Sequence, residues 1–150
     1  GLVGSEMCIR DRDITPEELD QEIIGLASHA LFSEPALAEF APGQSISEAL
    51  IRAARLNRGW VGVTQGASGT RWLEEGILRH MPAFEVKSLD TLGAGDVFHG
   101  IFVLGLSEGH SEQESLRTAS AAAAIRCSRA GGRKAIPKQH EIDAFLKEQS

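Results

Sequence analysis

A chain of 150 residues has room for one domain or for part of a larger one. Its 42% hydrophobic and 24% charged residues are those of an ordinary globular protein, and a formal net charge of −6 argues against a nucleic-acid surface, which needs a basic patch. Cys8 and Cys127 make neither a disulfide framework nor a zinc site, the histidines show no metal-ligand spacing, and no apolar run approaches the roughly 20 residues of a membrane span, so a reducing cytoplasm is the expected compartment.

Residues 1–12 (GLVGSEMCIRDR) show neither helical nor strand period and lack the charge pattern of a secretory signal. They resemble a translated sequencing-adapter tail and are expected to be a non-native extension, leaving 13–150 for fold reasoning. Thr15-Pro16-Glu17-Glu18 reads as a capped helix start, with a helix to about Leu26. Ala30-Leu31-Phe32 is a strand candidate, ended by Ser33-Glu34-Pro35. Ser45-Ile46-Ser47-Glu48 is a second capping box, opening a helix to about Leu56 that Asn57-Arg58-Gly59 closes. Trp60–Thr64 reads as a buried strand and Gln65–Gly69 as a glycine loop. Thr70–Leu73 and Ile77–Phe84 read as strands of a hairpin turning through Glu74-Glu75-Gly76. After a second glycine loop come helices from about Ala94 to Leu106, from Ser111 to about Cys127, and from about Lys138 to Leu146. Strands alternating with helices predict an α/β fold with a largely parallel sheet.

The second glycine loop carries the chemistry. In Asp90-Thr91-Leu92-Gly93-Ala94-Gly95-Asp96 two glycines let the backbone approach an anion closely. The apolar run from Val97 to Leu106 predicts a helix whose first N–H groups and dipole point into that loop, forming an anion site. Asp96 falls in the first turn of the helix. There it can serve the dipole alone, or accept the proton of a hydroxyl that attacks a phosphoryl group held by the loop. A dinucleotide fingerprint fails at its sixth position, Phe98. In the next helix, Ala119 and Ala121–Ala124 allow close backbone approach, which suits tight packing or a flat ligand.

Taken together, these motifs resemble the ribokinase/PfkB family of carbohydrate kinases. Asp90–Asp96 is similar to its carboxy-terminal signature. Val63-Thr64-Gln65-Gly66-Ala67-Ser68-Gly69-Thr70 resembles its Thr-x-Gly-x-x-Gly nucleotide loop. The Ala-rich helix, the loop Arg129-Ala130-Gly131-Gly132 and the helix start at Ile136-Pro137 follow in the family's order. The resemblance implies a three-layer α/β/α ribokinase-like sandwich with a small β lid, and transfer of the ATP γ-phosphoryl group to an alcohol of a sugar or sugar-like small molecule. It implies Asp96 as general base, with Gly93, Ala94 and Gly95 as the anion hole. Thr64, Gly66 and Gly69 are implied to line the ATP phosphates, Ser120 and Gly131 to border the nucleotide, and Asp90 to help hold a monovalent cation such as K+. Mg2+ accompanies ATP, and a homodimer is compatible with the full-length protein.

Three positions depart from the family pattern. Ile101 stands where a small residue is usual, Ser120 replaces a frequent Asn, and Ala36 stands where a Glu organises the magnesium hydration shell, with Glu34 as the nearby carboxylate. Family members are also longer, so 13–150 is expected to be the ATP-binding, carboxy-terminal half of a kinase, inactive by itself and of low independent stability because a half-sheet exposes an edge. Two further readings stand beside this one: a non-catalytic nucleotide-binding or regulatory module, and a kinase of the same superfamily acting on a nucleoside or vitamin precursor.

Overall fold

The computed structural model describes residues 6–9, 17–57 and 59–150, grouped in two compact units. The first unit holds the described residues up to Gln65 together with Thr70–Met81; the second holds Gly66–Gly69 and Pro82–Ser150.

The first unit is built on a five-stranded sheet in the order β1 (Glu6–Ile9), β2 (His29–Ser33), β3 (Trp60–Thr64), β4 (Thr70–Glu74), β5 (Ile77–Met81). β1, β2 and β3 run parallel, while β3–β4 and β4–β5 are antiparallel. The expected largely parallel sheet is therefore corrected to a mixed one. The physical reason is the short β4–β5 connection. Glu75 and Gly76 both have positive φ (52° and 77°), the backbone of a tight hairpin turn that reverses the chain between adjacent strands. β1 falls inside the segment set aside as an extension, where its backbone pairs with β2 from Glu6↔His29 to Ile9↔Phe32. The Thr15-Pro16 cap lies outside the described residues, while its helix is present as α1 (Glu17–Leu26).

Two more helices cover this sheet. α2 (Glu34–Phe40) was not anticipated from the sequence. Ser33 ends β2 and caps α2 at once, its Oγ accepting the Ala36 N–H at 3.3 Å, and Pro35 sits in the first turn, where its missing N–H costs nothing. α3 (Ile46–Leu56) starts at the expected cap, Ser45 Oγ accepting the Glu48 N–H at 3.2 Å. The core interleaves β2 and β3 with the helices. Ala30 pairs with Val61 and Phe32 with Val63, and this face packs on Ile24 of α1, Leu37 of α2 and Leu50 of α3. Leu31 and Gly62 pair on the opposite face of the sheet. A Cβ at Gly62 would lie 2.4 Å from the Trp60 ring, so a larger residue there forces that ring to move.

The second unit is helical: α4 (Ala94–Ser107), α5 (Glu112–Cys127) and α6 (Gln139–Glu148). Gly109, at φ 87°, helps turn the chain after α4, and Ser111 Oγ caps α5 by accepting the Glu114 N–H at 3.1 Å. α5 turns Ala121, Ala122 and Ile125 toward Ile142 of α6, with Phe84 set edge-on to Phe145 at 5.2 Å. Ile101 joins this cluster. The close approach of α4 to α5 occurs one helical turn later, where Gly105 faces Ser115. No helix among the described residues is long and apolar enough to cross a membrane.

Candidate active site

The sequence-predicted residues fall in both units. In the second unit, Asp90–Asp96 forms a loop that becomes the start of α4. Asp90 Oδ1 accepts the Leu92 N–H at 2.9 Å, which folds the backbone back on itself, and Ala94 N–H reaches Thr91 O at 3.1 Å. Gly93 is the N-cap residue of α4 in the left-handed conformation, φ 78° and ψ 0°. Only glycine takes that backbone without strain, and a Cβ at this position would meet nothing within 4 Å, so the mouth of the loop is open. The first bond into the helix runs from Val97 N–H to Gly93 O at 3.0 Å. The Gly95 amide precedes that bond, at the positive end of the α4 dipole. Asp96 lies exposed in this first turn, with Phe98 and His99 buried one turn further on.

α5 holds this loop from behind. The N–H groups of Leu89 and Asp90 both point at Cys127 O, at 2.8 and 3.2 Å, using a carbonyl that the end of α5 leaves over. Arg126 is 2% exposed. Its Nη2 meets Asp90 Oδ2 at 3.1 Å and its Nη1 donates to Arg129 O at 3.0 Å. The Leu92 N–H first, and Arg126 next, hold the Asp90 carboxyl below the usual carboxylate range. Burial pushes the neighbouring Cys127 thiol up. Sequence reasoning passed over Arg126. The signal was there: Arg126 follows Ala119 and Ala122 at helical spacing, so it shares their buried face. Ser120 is buried on α5, and Gly131, at φ 117°, lies exposed in the loop beyond it.

In the first unit, Thr64 ends β3 with its hydroxyl donating to Phe32 O at 3.4 Å. Beyond it, Gln65 Nε2 donates to Glu34 Oε2 at 2.6 Å, and Arg71 Nη1 donates to Gln65 Oε1. An Arg71–Gln65–Glu34 chain thus lies at the ends of β2 and β3. Ala36 brings no oxygen to this place beyond its backbone. Gly66 and Gly69, which belong to the second unit, have φ 54° and 89° and form a turn closed by the Gly69 N–H on Gly66 O at 3.0 Å.

A family model described as "pfkB family carbohydrate kinase" matches residues 4–139. The chain belongs to this family. It is 33% identical over 129 residues to a ribokinase of Lactococcus lactis subsp. lactis, covering 86% of this chain and 42% of that protein. The crystal structure of a ribokinase from Thermotoga maritima superposes with a TM-score of 0.77 at 32% identity, covering 85% of this chain and 44% of the other. A ribokinase of Arabidopsis thaliana, solved with ribose and ATP, gives a TM-score of 0.74 at 26% identity over 85% of this chain and 43% of its own. The α/β, ribokinase-like fold class thus holds, and this pfkB chain spans less than half the length of these three relatives.

Proposed function

We propose that this pfkB chain carries the nucleotide-side machinery of a kinase that transfers the γ-phosphoryl group of ATP to an alcohol of a sugar or sugar-like molecule. The observation that carries the reading is the left-handed Gly93 cap opening α4, with Asp96 one step past the Gly95 amide. In this reading the Gly93–Gly95 backbone stabilises the charge that develops on the transferring phosphoryl oxygens. Asp96 accepts the proton of the attacking hydroxyl, a role open to an exposed carboxylate in the first turn of a helix. Thr64, Gly66 and Gly69 bind the nucleotide phosphates, and Ser120 and Gly131 border the nucleotide. The Arabidopsis relative solved with ribose and ATP supports this substrate pair.

Mg2+ bound with the nucleotide would neutralise phosphate charge. The residues present suit it, because Mg2+ keeps most of its water and asks for one or two carboxylates besides the phosphates. Glu34, exposed and held by Gln65, is the carboxylate proposed for that shell in place of Ala36. The reading also holds that the chain alone does not turn substrate over, which its 42% coverage of the Lactococcus ribokinase supports.

The test is Asp96→Asn in a complete enzyme carrying this segment. Phosphoryl transfer is expected to fall by about 10²- to 10⁴-fold with ATP binding retained. A loss below about tenfold would remove Asp96 from the role of base. ATP binding with no transfer by the unmutated complete protein would favour a binding module instead.

A further inference from the structure

We infer that the Arg126 guanidinium is the built-in cation of the Asp90 loop, occupying the place where the family resemblance puts a monovalent ion. A bare alkali cation at Asp90 would need oxygen ligands, drawn from the Asp90 carboxylate and from backbone carbonyls of the loop after α5. In this chain both Asp90 oxygens and the Arg129 carbonyl already accept hydrogen bonds. Arg126 Nη2 sits 3.1 Å from Asp90 Oδ2, and Nη1 of the same guanidinium donates to the Arg129 carbonyl at 3.0 Å. Asp90 Oδ1 is used separately, by the Leu92 N–H. Arg126 is 2% exposed, so its guanidinium stays beside the half-buried Asp90 carboxylate, and a second positive charge on that carboxylate would face it at short range. The residues therefore do not fit a monovalent ion at Asp90.

The arrangement makes Arg126 a positioning residue. A planar, permanently charged fork joins the loop before α4 to the turn after α5. Beside it, the Leu89 and Asp90 amides grip Cys127 O. The loop geometry is consequently set from inside the protein and does not wait for an ion. This inference rests on the Asp90–Arg126 geometry and on the loop's assignment as an anion hole only for its consequence in catalysis, so its test leaves turnover aside.

The experiment is thermal unfolding of the complete protein carrying this segment, followed by circular dichroism, in KCl and in choline chloride at a matched ionic strength of about 0.1 M, where general screening is equal. The unmutated chain is expected to melt at the same temperature in both salts. Arg126→Gln leaves the Asp90 carboxylate without its partner and opens space beside it. Its Tm is expected to fall in choline and to recover in part in KCl. Arg126→Lys keeps a cation in place and is expected to be indifferent to K+. A rise in the unmutated chain's Tm specific to K+ would overturn the inference, as would an Arg126→Gln variant that melts alike in both salts. Should Arg126→Gln fail to fold, the salt comparison on the unmutated and Arg126→Lys chains still decides between these outcomes.

Discussion

Gly105 of α4 and Ser115 of α5 face each other so closely that a Cβ on Gly105 would lie 2.5 Å from Ser115 Oγ and 2.9 Å from Ser115 Cβ. This contact sets how near α4 approaches α5, and α4 starts at the Gly93 loop. Gly105→Ala forces the two helices apart and is expected to cost about 1–3 kcal/mol, as overpacking does. Ser115 is buried, and its Oγ makes no hydrogen bond among the described residues. Ser115→Ala is therefore expected to be neutral or stabilising, and to recover part of the Gly105→Ala loss when the two are combined. Urea unfolding of the four chains gives the coupling; strict additivity would refute the contact.

Asn57 ends α3 yet serves α1. It is 1% exposed, its Nδ2 donating to Ile24 O at 2.7 Å and to Ala27 O, while its Oδ1 accepts the Gly59 N–H at 2.6 Å. Asn57→Ala leaves buried carbonyls at the end of α1 without a donor. A loss of about 2–4 kcal/mol is expected, seen as a lower urea midpoint with unchanged slope.

Gly93→Ala tests the backbone of the anion site alone. At φ 78° with open space around the missing Cβ, alanine meets no steric clash and bears only the left-handed backbone strain. About 1–2 kcal/mol of stability is expected to be lost, with Gly93→Asn losing less, since asparagine tolerates this conformation better. Equal losses for both substitutions would point to a clash rather than to strain.

Glu141 gives a pH signature. Arg129 chiefly, and the Lys138 N–H next, pull its carboxyl from 4.5 down to about 2. A carboxyl depressed in the folded state stabilises fully above its unfolded pKa and loses that contribution as pH falls through the folded value. Glu141→Gln is thus expected to melt lower than the unmutated chain at neutral pH, with the two Tm curves converging between about pH 4.5 and 2. Parallel curves across that range would show that the pair does not couple to folding.

Features that depend on a few neighbouring residues are legible along the chain. Ser45 and Ser111 cap their helices through N–H groups three positions ahead, and Asp96 falls in the first turn of the helix that the apolar run predicts. Such features are legible because their partners lie within one turn of chain. α2 escaped notice because Ser33-Glu34-Pro35 ends a strand and begins a helix with the same three residues. The rest is set by contacts between segments far apart in the chain. Whether Asp90 keeps an open carboxylate or hands it to a cation depends on Arg126, 36 residues away. Whether Gly105 is a weak point of a helix or a required gap depends on Ser115 across the interface. Strand direction depends on which strands the chain brings side by side. Each is a choice between states of similar local energy, which contacts distant in sequence resolve.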